Sequence, residues 1–386
     1  MTSQPTETKP EIKIAKGLAG VYSDTSKVSK VFDETNTLTY YGYPVQELAE
    51  HCRFEEVAYL LWHGELPTAE QLKKFEAQER GDRNISEQLL TVIRQFRKDA
   101  HPMDTLRTAV SFLGVEDPEA ADNAPAANLR KAMRMLAKIP TIIAADFRIR
   151  KGQEPIAPRS DLTMAENFFH MYFGKVPDAK IVRCFDASLT FYAEHGFNAS
   201  TFTARTIVSS LSEIYAAVTG AIGSLKGPLH GGANEAVMHM LLSIGDVSNT
   251  QAWIDDALEH KKLVMGFGHR VYRNGDSRVP YMTKYFHEMA KIAHGEKWVE
   301  MENILSKTVI EQKGIHPNLD FPVGPAYYLM GFEIPIFTPI FVISRITGWT
   351  AHIMEQLQDN KLMRPLSVYN GVPQRPVQPL EKRKAA

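Results

Sequence analysis

Ile336-Phe-Thr-Pro-Ile-Phe-Val-Ile-Ser-Arg-Ile-Thr-Gly-Trp-Thr-Ala-His-Ile-Met354 is the stretch whose reading decides the fold. Its length and near absence of charge suit a bilayer span. Against that reading stand Pro339, Gly348, His352, several threonines and, above all, Arg345, which hydrocarbon tolerates poorly. A helix buried in a large protein core accounts for the same residues, because such a helix is apolar all round. Other helices must then surround it. Phe54, Val57, Ala58 and Leu61 fall on one helical face. Ile207, Leu211, Ile214, Tyr215, Val218 and Ile222 keep that period, as do Met282, Tyr285, Phe286, Met289 and Ile292. A single helix is expected over 203–222. Strand signals gather only in residues 31–45, rich in Thr, Tyr and Val around an Asn36-Thr37 turn, which reads as one short N-terminal hairpin. Strands and helices do not alternate, which argues against a doubly wound sheet. The expected fold is all-α with that one hairpin.

A chain of 386 residues is enough for two domains. The glycine-rich turn at 223–232 and the proline-rich stretch at 317–325 bracket a candidate inserted unit. The expected division is a large helical domain of residues 1–225 and 326–386 and a small domain of residues 226–325, with a ligand cleft between them. Residues 115–128 and 151–161 read as surface loops, and the polar start as disordered. A net charge of −1 gives no basic field for nucleic acid. Cys52 and Cys184, with no CxxC pair, exclude a disulfide scaffold and give no metal signature. The start, Met-Thr-Ser-Gln-Pro-Thr-Glu-Thr-Lys-Pro, shows no apolar leader, so a cytoplasmic location is expected, with no membrane attachment.

Chemistry gathers in two glycine-rich turns, Leu225-Lys-Gly-Pro-Leu-His-Gly-Gly-Ala-Asn-Glu235 and Met265-Gly-Phe-Gly-His-Arg-Val-Tyr272. Glycine permits close approach of backbone to a ligand. His230 precedes a helical run from Ala233, where the helix dipole disfavours a charged ring. A neutral imidazole N–H there can donate to a carbonyl oxygen. A turn-capping histidine is the structural alternative. His269 sits in a turn whose backbone groups suit a planar ligand such as adenine, or in a plain loop. Asp320, in Asn-Leu-Asp-Phe-Pro, reads alone as a turn or N-cap residue. Its apolar surroundings equally suit a base that takes a carbon-bound proton. Arg345 needs an anion, supplied by the fold or by a ligand carboxylate. With Arg278 and Arg364 it makes a candidate clamp for a polycarboxylate. His195 and Asn198, in Glu-His-Gly-Phe-Asn-Ala-Ser, are further donors to the same anion. No HxxxH pair supports a metal.

These segments, together with Gly-Leu-Ala-Gly-Val at 17–21, Tyr-Gly-Tyr-Pro-Val-Gln-Glu-Leu-Ala at 41–49, His-Pro-Met-Asp at 101–104 and Arg-Ile-Thr-Gly-Trp-Thr-Ala-His-Ile-Met-Glu-Gln at 345–356, run in order through nearly the whole chain. In them the chain resembles the citrate synthase family, in its short bacterial branch, and is most similar there to enzymes that make 2-methylcitrate and also accept acetyl-CoA. The resemblance implies an all-helical two-domain homodimer whose active sites are completed across the interface. It implies an acyl-CoA:oxaloacetate C-acyltransferase using propionyl-CoA and acetyl-CoA, or in the alternative acetyl-CoA only. Acyl-CoA is then a co-substrate, and no permanent cofactor is implied. By position, His230 would polarise the thioester, Asp320 would take the α proton and His269 would polarise the ketone of oxaloacetate. His195, Arg278, Arg345 and Arg364 would hold its carboxylates, and Arg80 also matches a ligand position. Leu263, Val264, Met265, Gly266 and Phe267 would grip CoA through backbone. A non-catalytic CoA or carboxylate sensor would require a broken catalytic set, and a ligand-free helical scaffold is the third alternative, separated from an enzyme by loss of turnover in Asp320→Ala with the fold intact.

Overall fold

The decisive stretch folds as the helix Phe337–Gln358, and nearly every side chain along it is buried. Ile334–Gln358 is long and apolar enough to cross a membrane by composition, yet 89% of its most apolar window lies inside the protein. The computed structural model describes residues 13–18, 20–269, 271–272 and 275–383. The polar start and Arg270 thus lie largely or wholly outside the described residues. Pro339 falls in the first turn of the central helix, where no intrahelical N–H bond is lost. Around it pack the helices Phe54–His63, Pro125–Arg150, Ala179–Tyr192, Ala199–Ser209 and Ile214–Leu225. Sixteen α-helices and one small sheet make up the described residues, so the all-α expectation holds.

The sheet departs from the expected hairpin by one strand. Ser29–Phe32 pairs antiparallel with Thr37–Tyr40, as predicted around the turn. Tyr43–Pro44 then adds a third antiparallel strand before the chain enters the helix Val45–His51. The predicted helix over 203–222 is two helices, Ala199–Ser209 and Ile214–Leu225. Asn198 caps the first through a bond from the Thr201 N–H (3.1 Å). Glu213 caps the second by accepting from the Ala216 N–H (2.8 Å). Between them Leu211 takes φ 66° and is 65% exposed. Its place in the apolar period is therefore accidental: Ser209, Ser210 and Glu213 break the helix before packing can claim it. Ile292 is 39% exposed, whereas Met282, Phe286 and Met289 are buried as predicted. The expected loop at 115–128 is shorter, because helices occupy Pro102–Glu116 and Pro125–Arg150 on either side.

A second group of helices, Ala233–Ile244, Val247–Glu259, Val279–Ala293, Glu296–Lys313 and Asp320–Leu329, packs largely on itself. Of the expected domain limits, 225/226 falls at the end of Ile214–Leu225 and 325/326 falls within Asp320–Leu329, at Pro325.

One buried stripe of the central helix mixes polar with apolar side chains. Phe341, Arg345, Gly348, Trp349 and His352 recur at the i, i+4, i+7 spacing of one helical face. His352 is fully buried. Its Nε2 lies 2.8 Å from Glu194 Oε1, and Glu194 also accepts from Ser29 Oγ (2.9 Å). Burial works against this pair, but the two opposite charges overcome it, raising the His352 pKa and lowering that of Glu194. Gly348 leaves room for the pair, since a Cβ there would collide with the Glu194 carboxylate and the Ala193 carbonyl. Gly348→Ala is expected to cost about 1–3 kcal/mol by overpacking, seen as a lower Tm. It should also raise the KM of any ligand held by the adjacent His195.

Candidate active site

A cleft of about 700 Å³ opens where the two helix groups meet the sheet. His195, His230, His269, Arg278, Asp320, Arg345 and all of Leu263–Phe267 line it. Local bonds bring these distant segments together. Gly268 N–H donates to the His316 carbonyl (2.8 Å), Asn318 N–H to the Gly266 carbonyl (2.8 Å), and Asn318 Nδ2 to the Gly268 carbonyl (3.0 Å). The His269 turn is thereby stitched to the segment that delivers Asp320. Gly266 is required at this junction. Its φ is +82°, and a Cβ would come within 2.7 Å of Phe321.

His230 lies in the turn before the helix Ala233–Ile244. Trp349 Nε1 donates to Ser200 Oγ (3.0 Å), which lies 2.8 Å from His230 Nε2. The Ser200 backbone N–H also points to Nε2 (3.3 Å). That donor makes Nε2 the acceptor and leaves the proton on Nδ1. Burial, with Arg345 nearby, lowers the His230 pKa to about 4. His269 is also lowered to about 4, by burial first and Arg278 second. Its Nδ1 accepts from the Val271 N–H (3.1 Å), so its Nε2 carries the hydrogen. Both rings are therefore neutral donors at pH 7. His195 packs beside His269 with the rings tilted and their centroids 4.8 Å apart. Burial, then Arg278 and His269, hold its pKa well below the usual value.

Asp320 is the first residue of its helix, not the N-cap, which is Leu319. Tyr192 O–H donates to its Oδ1 (2.6 Å). Burial raises the carboxyl pKa to about 6 despite the Tyr192 bond and the Arg278 and Arg345 charges. A carboxylate that ionises near 6 is a stronger base than an exposed one and is still ionised at neutral pH.

The two arginines of the cleft differ. Arg278, expected in a loop, is the buried N-cap of Val279–Ala293. Asp276 holds it through two bonds, Nε–Oδ1 (2.9 Å) and Nη2–Oδ2 (2.7 Å), and Nη1 donates to the Phe191 carbonyl (3.1 Å). Burial opposes its charge, but Asp276 raises its pKa. Arg345 is 2% exposed, donates through Nε to the Tyr192 carbonyl (2.6 Å) and lies over the Phe341 ring. No carboxylate of the described residues forms an ion pair with it, and burial lowers its pKa to about 10.

Two predicted ligand residues lie elsewhere. Arg80, on the helix Ala69–Gly81, reaches Glu76 (3.4 Å) and the Ser160 carbonyl (3.3 Å) and does not line the cleft. Its position four residues after Glu76 supplies an ion pair of its own fold. Arg364 is exposed on the extended segment after the central helix and does not reach this chain's own cleft. Sequence reasoning missed Tyr192, Asp276, Ser200 and Glu194. Asp276 carried a readable signal, two residues before Arg278, and Glu194 adjoins His195. Tyr192 and Ser200 carried none beyond their nearness to His195.

The family model for the citrate synthase C-terminal domain matches residues 17–366. The chain belongs to the citrate synthase family. It is 55% identical over 375 residues to the 2-methylcitrate synthase of Mycobacterium tuberculosis, covering 97% of this chain and 94% of that one. It is also 55% identical over 363 residues to the citrate synthase of Mycolicibacterium smegmatis, covering 94% and 96%. A solved structure of the citrate synthase of Thermoplasma acidophilum, in ternary complex with carboxymethyl coenzyme A and oxaloacetate, superposes with a TM-score of 0.88. It is 29% identical, over 96% of this chain and all of that one. In this citrate synthase family member, the cleft is built where a polar stripe of the core helix meets two glycine-rich turns.

Proposed function

We propose that this protein condenses propionyl-CoA, and also acetyl-CoA, with oxaloacetate and water to give 2-methylcitrate or citrate and free CoA. The observation that carries this reading is one buried carboxyl, raised to about 6, in the same cleft as two neutral imidazoles. Asp320 removes the proton α to the thioester. His230, donating through Nδ1, stabilises the oxygen of the resulting enolate. The α carbon then attacks the ketone carbon of oxaloacetate, whose oxygen His269 polarises through its Nε2–H. Water cleaves the acyl-CoA adduct, and CoA leaves as the thiol. A carboxylate alone is far too weak to ionise such a carbon acid. Hydrogen bonds to the developing enolate in a water-poor cleft must supply the rest.

His195, Arg278 and Arg345 hold the oxaloacetate carboxylates, and the backbone of Leu263–Phe267 grips CoA. Arg364 of a second copy completes the site in a cytoplasmic homodimer, a role its exposed position supports. The unit 226–325 closes on the remainder once oxaloacetate is bound, which expels water before the acyl-CoA reacts. Calorimetry with the unreactive carboxymethyl coenzyme A should then show full affinity only with oxaloacetate present; equal affinity without it rules out this order.

Relatives of both names at 55% identity support the condensation without separating the donors. The donors differ by one methyl group, worth about 1–3 kcal/mol of discrimination. Thiol release, followed with each thioester with and without oxaloacetate, tests the reading. Oxaloacetate-dependent release with both donors is expected. Release with acetyl-CoA alone would favour a dedicated citrate synthase, and none with either would end the proposal.

A further inference from the structure

We propose that Tyr192 is a positioning residue for the reaction base: its phenol O–H fixes the Asp320 carboxylate and sets the pH at which that carboxylate works. This inference deepens the reading of Asp320 given above and rests on it. Tyr192 is the last residue of the helix Ala179–Tyr192, fully buried on its ring and open only to the cleft. Two contacts fix the side chain. Its ring packs on Phe341 with centroids 4.0 Å apart. Its hydroxyl lies 2.6 Å from Asp320 Oδ1. The Asn234 side chain lies near the same hydroxyl, but its buried Nδ2 makes no hydrogen bond among the described residues.

The direction of donation follows from the groups present. An ionised carboxylate only accepts, so the phenol must donate its hydrogen to Asp320. The hydroxyl thus ties the helix Ala179–Tyr192 to the helix that begins with Asp320, and the packed ring sets where that carboxylate stands. The Arg345 Nε bond to the Tyr192 carbonyl fixes the same residue from its backbone side.

The bond also opposes burial. Desolvation raises the Asp320 pKa, and the Tyr192 bond is the largest influence lowering it, ahead of Arg278 and Arg345; Asp276 raises it. His230 and His269, which also face the cleft, are neutral near pH 7 and contribute no charge there. Loss of the hydroxyl should therefore raise the Asp320 pKa, and a more acidic phenol should lower it.

Two variants test this. Tyr192→Phe removes only the hydroxyl. Replacement of Tyr192 by 3-fluorotyrosine keeps it and makes it a stronger donor. The Asp320 carboxyl is followed by 13C NMR in the substrate-free protein, its resonance identified by its absence in Asp320→Asn. The expected result is a rise of about one pH unit in Tyr192→Phe and a fall in the fluorotyrosine protein. The acid limb of kcat/KM should move in the same two directions. Tyr192→Phe should also lower kcat about tenfold with little change in the KM for oxaloacetate. A purely structural tyrosine would not give opposite shifts. Asp320 titrating identically in either folded variant and the parent overturns the proposal, whatever the turnover. A parent that titrates as expected yet releases no thiol overturns the proposed reaction instead.

Discussion

Asp320→Asn is expected to lower kcat by about three orders of magnitude or more while making the protein more stable. The amide is nearly isosteric with the acid, keeps an oxygen to accept from Tyr192 and cannot take a proton. The gain in stability follows from the sign of the pKa change. A carboxyl raised from its usual 3.8 to about 6 by burial binds a proton more tightly folded than unfolded. Its stabilising contribution is present in full only below about pH 4 and is lost as pH rises through 6. At pH 7 the ionised group costs about 3 kcal/mol relative to an exposed one. The amide carries no such cost, so at pH 7 the Tm should rise by several degrees and at pH 4 the two proteins should converge. A base that the fold strains to ionise is the mark of a site kept for chemistry. If Asp320→Asn retains turnover, another group is the base; if it is destabilised at pH 7, the carboxylate is structural. In the parent the same pKa sets the acid limb, so kcat/KM should fall as pH drops below about 6.

The two imidazoles predict a different pH behaviour. Both are lowered to about 4, so neither gains a proton across the working range of Asp320. One limb near pH 6 is expected on the acid side, without a second inflection from either ring until about 4. A limb with two inflections between 5 and 7 would mean that a histidine there titrates with its ordinary pKa and is not a neutral donor.

How much of this was legible in the sequence depends on the kind of information each residue needs. The core helix was readable because its apolar run is longer than any loop could hide and its single arginine ruled out hydrocarbon. The histidine turns were readable because glycine at Gly231 and Gly266 reports close packing that no side chain could share. Leu211 misled because periodicity is a one-dimensional signal. It continued the pattern across a break that Ser210 and Glu213 had already made. Arg278 read as a weak loop residue because its partner, Asp276, and its burial are properties of the folded turn. Arg80 meets Glu76 and the Ser160 carbonyl instead of this cleft, since matching a family position says nothing about which neighbour the guanidinium meets. Tyr192 was invisible for a more basic reason. Its role is a 2.6 Å contact across 128 positions of sequence, and no local pattern encodes that. What the sequence could supply was the stripe Phe341, Arg345, Trp349 and His352, whose polar members are out of place in an apolar helix unless something faces them.

Arg345→Met carries that argument to its second large effect. The guanidinium is 2% exposed, has one hydrogen bond to a carbonyl and one aromatic face beneath it, and forms no ion pair with a carboxylate among the described residues, the charge of nearby Glu194 offsetting its burial only in part. Its pKa, lowered to about 10, still leaves it charged at pH 7. The free protein therefore holds a buried cation whose desolvation is only partly offset, and an apolar chain of similar length should relieve it. Loss of the bond to the Tyr192 carbonyl takes back part of that gain, leaving a net rise of about 1–2 kcal/mol in stability. The ligand side has the opposite sign. A carboxylate entering the cleft would meet an undercompensated cation already oriented and dehydrated, where a charge-assisted pair is strongest. Removing it should raise the KM for oxaloacetate about a hundredfold, with a smaller effect on the KM for acyl-CoA. Arg278 makes the contrast. Asp276 already neutralises it, so Arg278→Met strands a buried carboxylate and should destabilise the protein by about 3–5 kcal/mol. The pair of variants thus separates a ligand arginine left without an ion pair from one that the fold also neutralises. Should Arg345→Met leave oxaloacetate saturation unchanged, the cation serves the folded protein alone and the carboxylate clamp must lie elsewhere.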